Sequence, residues 1–361
     1  MKILKSFIFI VVSFLFLSCA GNEASVTEIN LQGLALKVDT SNNTKPIKYI
    51  YGNHAISQGI YDESGYYGSA ITDKELKSSE SLFKIGNGHN EFGWVIFGKG
   101  IDGSFVLLDT NAGIRSLTMI PANDNISEFK NAENWVSYDL KNLPSFRYTG
   151  ENFFALSDST IMVVGAPMGE KMQHLISIID FKNLKVTPLD YWPEDGIKVP
   201  DLVKHAVYAD YGKVFGNGKG QYLYQCGRER YAFVFSIEGT KVNVIKDLYK
   251  VYSDYTTKDE MNYITLSRNP EELYCDTDAD NIYILLKDSN KNGEKLEKWK
   301  DFNIFGNLVE VYDWSGNKKS VLRLDHYGQR IMLSNDKSKL YLLSDDFDSD
   351  QEIWVYDIKG L

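Results

Sequence analysis

The chain is poor in the residues that usually build reactive centres. Its 361 residues include three cysteines and five histidines. The histidines (His54, His89, His174, His205 and His326) are scattered. None forms an HExxH pair, and no two share the spacing of metal ligands. There is no G-x-S-x-G elbow, so an α/β-hydrolase triad has no support. A basic stripe is also missing. The formal charge is −10, and a nucleic-acid partner would need clustered Lys and Arg for its phosphates. Strongly amphipathic helical patterns are absent, and beyond the N-terminus no long apolar run appears.

That N-terminus reads MKILKSFIFIVVSFLFLSCAGNEA. Lys2 and Lys5 precede an apolar run of 11 residues, Phe7 to Leu17. A bilayer span needs about 20 residues, so the run fits a secretory signal peptide instead. Phe16-Leu17-Ser18-Cys19 then resembles a bacterial lipobox, in which cleavage leaves the cysteine to carry diacylglycerol. The expected division is a signal peptide over 1–18, a lipidated tether over 19–27 and one domain over 28–361. Lipid at Cys19 would hold the mature protein to a membrane surface without spanning it. Ala20 follows the cysteine in place of the Asp that often retains lipoproteins at the inner membrane, which points to the outer membrane. Cys226 and Cys275 remain. An oxidising envelope permits a bridge between them, and two buried thiols are the alternative.

What the sequence does contain is strand. Aromatic residues make up 13% of the chain, including 23 Tyr and 19 Phe, and aromatic rings suit a pleated surface. Short runs such as SFVLLD, TIMVVGA, YAFVFSI, NIYILLKD and EIWVYDI are split by Gly, Asn and Asp. Many closely spaced strands mean a sandwich, barrel or propeller. A landmark recurs: an apolar run ending in Asp or Ser, then a turn with Gly or Asn. It appears at Asp62, Asp109, Asp180, Ser236, Asp313 and Asp357, at intervals of 44 to 77 residues. A four-stranded blade takes about 40 to 50 residues plus insertions. The expected fold is therefore an all-β, six-bladed propeller. The final run stops at its turn, so the last blade lacks an outer strand. The run Thr27 to Val38 is expected to supply it beside residues 352–358, protecting an open edge.

Three stretches resemble the TolB-like six-bladed propeller lipoproteins. Ile85-Gly86-Asn87-Gly88-His89-Asn90-Glu91-Phe92 is similar to the family's G-x-G-P-G-E-F signature, with His89 and Asn90 where Pro and Gly are usual. VEVYDWSGNKKSVLRLD (309–325) and KLYLLSDDFDSDQEIWVYDI (339–358) resemble its later blades. The resemblance implies a fold and an anchor. It implies no reaction, so no catalytic residue is carried over.

The chemistry of the remaining motifs is thin. The glycines Gly86 and Gly88 suggest a phosphate cradle, but Glu91 stands where the dinucleotide fingerprint needs a third glycine, and strand follows. Neither nucleotide nor cofactor is expected. Asp276, Asp278 and Asp280, and likewise Asp346, Asp348 and Asp350, sit at alternate positions as in a calcium loop. Asn281 and Gln351 occupy the place of the required Gly, so solvated turns are the expected reading. Glu91, Asn217 and Asp210 are the polar residues that a catalytic channel mouth would draw on. Tyrosine offers a different prospect, because it gives large contact area with a polar tip. Tyr51, Tyr66, Tyr67, Tyr208 and Tyr211 are candidates for a binding rim. The leading functional expectation is a lipid-anchored binding or scaffold module for a protein, peptide or glycan. The alternative is a metal-dependent hydrolase or lyase at the channel mouth.

Overall fold

The computed structural model describes residues 26–361 apart from 38–46, 52–53, 59–65, 72–78, 101–102, 110–115, 122, 124, 140–145, 168–173, 210–211, 228, 253, 260–262, 268–270, 289–304, 335 and 345–351. Cys19, Asp210, Tyr211 and the Asp346, Asp348 and Asp350 cluster lie outside the described residues.

The fold is a β-propeller whose blades are antiparallel meanders, two of them joined on the outer edge by N-terminal strands. Blade I comprises Val95–Lys99, Phe105–Asp109, Ser116–Ile120 and Val136–Asp139. Blade II comprises Phe146–Ala155, Thr160–Pro167, Ile176–Asp180 and Lys185–Pro188. Blade III comprises Lys213–Gly216, Gln221–Gln225, Tyr231–Glu238 and Lys241–Lys250. Blade IV comprises Glu271–Thr277, Asn281–Asp288, Gly306–Asp313 and Lys318–Gly328. Blade V comprises Arg330–Leu333, Lys339–Ser344 and Glu352–Asp357, completed by Leu34–Lys37. The first strand of each blade lies beside the first strand of the next, from blade I round to blade V. These five strands line the axis.

Six blades were expected, and five are counted. A further four-stranded sheet, Ile47–Tyr51, His54–Gln58, Tyr66–Ile71 and Ser79–Lys84, follows the N-terminal strands, and its first strand lies against Arg330–Leu333 of blade V. Asp62, the sequence landmark within the span of this sheet, lies outside the described residues.

The expected closure is present. Leu34–Lys37 pairs antiparallel with Glu352–Asp357, Leu34 opposite Val355 and Lys37 opposite Glu352. The first part of the same run behaves differently. Thr27–Leu31 adds in parallel to Lys318–Gly328 as a fifth strand of blade IV. The N-terminal run thus covers the outer edges of two neighbouring blades, where unpaired N–H and C=O groups would otherwise recruit other chains. Asp325 links the two, since its Oδ1 accepts from Gly33 N–H at 3.0 Å and from Tyr356 Oη at 3.0 Å.

Burial falls from axis to rim within each blade. All five residues of Phe105–Asp109 are buried, whereas Val136–Asp139 on the outer edge is largely exposed. Apolar side chains fill the spaces between blades, Phe153, Ile161 and Val163 of blade II meeting Ile96, Val106 and Leu108 of blade I. The turn chemistry read from the sequence holds at Asp313. Asp313 Oδ1 accepts from Ser315 N–H and Asn317 N–H, both at 2.9 Å, and Gly316 takes φ +81°. Between blades II and III, helix α1, Asp201–Tyr208, packs into the core through Val203, Val207 and Tyr208.

Candidate functional site in the central channel

The inner strands of a propeller run parallel along its axis, so the turn after each first strand opens on one mouth. A cavity of about 330 Å³ lies there, walled by the inner strands of all five blades and by the turns carrying Gly103, Asn217, Asp278 and Lys337. Its volume is at the lower end of the range for small-ligand sites. Gly98 keeps the wall thin: a Cβ there would stand 2.5 Å from the ring of Phe153, which fills the space between blades I and II.

The charge in this cavity is organised around Asp276. Its Oδ2 accepts from Lys99 Nζ of blade I at 2.8 Å and from Leu333 N–H of blade V at 2.8 Å. Its Oδ1 accepts from Thr277 N–H at 2.9 Å. The Asp276 side chain is 7% exposed, that of Lys99 31%. One carboxylate therefore ties three blades together across the channel. Two more ammonium groups share the lining. Lys213 Nζ sits 3.9 Å from the ring centroid of Tyr274, a cation–π arrangement. Lys337 is exposed on its turn at φ +59°.

The aspartates of DTDAD do not converge. Asp276 enters the channel as described. Asp278 caps its own turn, Oδ1 accepting from Asp280 N–H at 2.7 Å and Asn281 N–H at 2.8 Å. Asp280 faces outward to Lys219 at 3.0 Å, and that hydrogen bond holds its carboxyl below the usual range. Asn217 is likewise a turn residue, accepting from Lys219 N–H and Gln221 N–H. Among the described residues, no group of three or more His, Cys, Asp or Glu stands close enough to hold a metal ion.

The glycine motif lies away from the channel chemistry. It connects Ser79–Lys84 to blade I. Glu91 Oε2 accepts from Gly88 N–H at 2.9 Å, and Oε1 pairs with Lys84 Nζ at 2.6 Å. A Cβ on Gly86 would stand 2.0 Å from Glu91 Oε2. Gly86 leaves room for that carboxylate, while the positive φ values fall on Phe83 and Asn90. Phe92 and Phe83 are buried with Phe97, Phe105 and Phe129. The motif is a structural turn whose carboxylate serves its own backbone.

Tyr208 must be removed from the rim. It is fully buried, and its Oη donates to Asp195 Oδ2 at 2.9 Å. Tyr255 Oη donates to the same oxygen at 2.8 Å, Lys204 Nζ lies 3.2 Å from Oδ1, and Ile197 N–H donates to Oδ1 at 2.9 Å. Burial, then the Asp195 charge, pushes the Tyr208 hydroxyl far up. The tyrosine belongs to a buried network that pins the segment before α1. Tyr51 lies in Ile47–Tyr51, and Tyr66 and Tyr67 lie in Tyr66–Ile71. Cys226 and Cys275 are both buried, in separate core clusters, and no disulfide joins them. The channel lysines Lys99, Lys213 and Lys337 were not singled out in the sequence, since each stands alone in an ordinary strand or turn. A lysine inside an apolar strand beside glycines, as in FGKG and YGKV, was the available signal.

No protein-family model and no curated protein matches the chain. Solved structures do. An auxiliary nutrient binding protein from Bacteroides thetaiotaomicron is similar over 91% of this chain and 70% of its own, with 10% identity and TM-score 0.41. A Bacteroides fragilis protein described as exported matches over 91% and 99%, at 8% identity and TM-score 0.47. A gluconolactonase from Xanthomonas campestris matches over 90% and 97%, at 9% identity and TM-score 0.41.

Proposed function

We propose that the chain is a lipid-anchored β-propeller of the cell envelope, related to the TolB-like propeller lipoproteins, that holds a protein, peptide or glycan partner at the mouth of its central channel. In this reading Cys19 carries the lipid, the outer membrane is its location, and the sheet from Ile47 to Lys84 serves as a sixth blade. Tyr51, Tyr66 and Tyr67 of that sheet remain the rim contacts.

The observation that carries the binding reading is the ion pair of Asp276 with Lys99 at 2.8 Å. A metal-dependent hydrolase or lyase needs carboxylates free to ligate. Here the carboxylate on the channel wall already has an ammonium and two backbone N–H groups, so the cavity is a fixed, polar pocket rather than an acid–base constellation. A preformed pocket of this kind binds without paying to order its walls.

Photo-cross-linking tests the reading. A benzophenone side chain in place of Lys337, at the mouth, is expected to give a discrete adduct in intact cells. The same group in place of Val244, exposed on the outer strand of blade III, is expected to give none. No adduct at position 337, or equal adducts at both positions, would refute it. Cys19→Ala is expected to move the protein from the membrane fraction to the soluble one.

A further inference from the structure

We infer that the channel-mouth face of the propeller lies against an anionic lipid surface, brought there by a short tether and turned toward it by Lys219, Lys319 and Lys337. The inference rests on the reading of Cys19 as the lipid-bearing residue and adds which face that lipid brings to the membrane.

The chain enters the fold on the mouth side of blade IV. Thr27 pairs with Ser320, and Thr27–Leu31 then runs parallel to Lys318–Gly328, away from the turn at Ser315 and Gly316. Lys319, next to Ser320, places its Nζ 2.7 Å from Asn281 Oδ1. Asn281 directly follows the Asp278–Asp280 turn, and Asp278 lines the cavity at its mouth. Val26, at the head of the entering strand, is 43% exposed. Cys19 lies seven positions earlier, a span of at most about 25 Å when fully extended. A lipid on Cys19 therefore keeps this corner of blade IV within one short tether of the headgroups. The tether sets proximity, and charge selects the face.

Ammonium groups are the outermost charges at this mouth. Lys219, Lys319 and Lys337 are exposed on blades III, IV and V. They gather about Asp280, whose carboxyl is held below its usual range by the Lys219 hydrogen bond first and by the charges of Lys337 and Lys319 as well. The Lys219–Asp280 pair is open to water on both sides, at 62% and 66% exposure. Such a pair is weak, so a headgroup phosphate can replace the carboxylate. The neighbouring acids point the other way. Asp278 accepts from two N–H groups of its own turn, Asp313 from Ser315 and Asn317 N–H, and Asp336 from Ser338 N–H. A short aspartate folded onto its turn keeps its charge near the backbone, whereas lysine carries its charge outward on a four-carbon stem. Anionic lipid attracts each such lysine close to its surface. The chain as a whole, at −10, is repelled by that surface. The face on which cations stand outermost is the one it can turn to the membrane. A partner held at this mouth is then reached along the membrane plane.

The test is energy transfer from single fluorophores on the lipidated full chain to dye-labelled headgroups in vesicles of phosphatidylcholine and phosphatidylglycerol. Cys226 and Cys275 are buried, so the fluorophore reacts at an introduced, exposed cysteine. Asp158→Cys places it on the turn after the first strand of blade II, on the mouth side but two blades from the tether. Lys198→Cys places it just before α1, which leads into the opposite end of the first strand of blade III. Transfer is expected to be stronger from position 158 than from position 198. Combining Lys219→Gln, Lys319→Gln and Lys337→Gln should shrink that difference while the chain stays on the vesicles and melts near the parent's temperature. Raised salt should shrink it too, and so should vesicles of phosphatidylcholine alone. Equal transfer from both positions, stronger transfer from 198, or a difference that the triple variant leaves unchanged would overturn the inference. A chain that stays on the vesicles in those cases leaves the anchor reading standing. Absence of lipid on Cys19 by mass spectrometry would sink the anchor reading, and this inference with it.

Discussion

Replacing Asp276 with alanine should be among the more costly single changes in this chain, and the cost can be worked from its contacts. Leu333 is 4% exposed, so its N–H loses its acceptor at 2.8 Å where water has little access. An unmatched buried donor costs about 1–3 kcal/mol. Loss of the charge-assisted contact with Lys99 adds about 1.5–3 kcal/mol, and the lower end applies because the Lys99 side chain is 31% exposed and water can replace its partner. The sum is about 3–4 kcal/mol, consistent with breaking a buried pair by removing one member. Unfolding entropy of about 2.1 cal/mol/K per residue, over roughly 330 residues, gives about 0.7 kcal/mol per degree. Asp276→Ala should therefore lower the melting temperature by about 5 °C in calorimetry or circular dichroism. A cycle with Lys99→Met should show coupling of about 1 kcal/mol or more. A melting temperature within about 1 °C of the parent, or strictly additive losses, would refute the claim that this carboxylate ties blades I, IV and V.

Three further outcomes follow from close approaches and buried acids. Gly86→Ala brings a methyl group to 2.0 Å from Glu91 Oε2, so the carboxylate must swing away from Gly88 N–H at a cost of about 1 kcal/mol; Gly86→Ala combined with Glu91→Ala should then cost no more than Glu91→Ala alone in denaturant titration. Gly33→Ala places a Cβ 2.8 Å from the Tyr356 ring, so hydrogen exchange in Leu34–Lys37 should quicken, and unchanged protection would show that the closing strand does not depend on this contact. Asp195 and Glu310 titrate below the ordinary carboxylate range: burial works to raise both, and is outweighed by Ile197 N–H, Tyr255, Tyr208 and Lys204 at Asp195, and by Lys318, Tyr249 and Tyr312 at Glu310. A depressed folded pKa contributes stability above the unfolded value, about 3.9 for Asp and 4.3 for Glu, which is lost as pH falls through the folded value; the stability gap between parent and Asp195→Asn should therefore be full at pH 7 and shrink below about pH 4.

The propeller was legible because its turns have local chemistry. Asp180, Asp313 and Asp357 each end the third strand of a blade, and each carboxylate accepts from backbone N–H groups just beyond. A residue that caps its own turn leaves a mark in the sequence wherever it occurs. Asp109 shows the limit of that rule. It ends the second strand of blade I, and its oxygens reach back to Gly93 N–H and Trp94 N–H. The same landmark thus marks different turns, and counting landmarks counts blades only approximately. The closing strand was legible for another reason: a blade short of its outer strand must find one elsewhere. Tyr208 was not legible as a core residue. Nothing local to HAVYADYG shows that Asp195, 13 residues earlier, accepts from its hydroxyl, or that Tyr255, 47 later, donates to the same carboxylate.

The channel was illegible for a related reason, and that same geometry makes a final prediction. Lys99 and Asp276 are 177 residues apart, so no motif could join them. Their pairing exists only in the folded propeller, and the Lys99 side chain is 31% exposed, so salt reaches it. The gap in melting temperature between the parent and Lys99→Met should therefore narrow as salt is raised. A gap that salt leaves unchanged would mean that Lys99 acts through the packing of its methylene stem rather than through its charge.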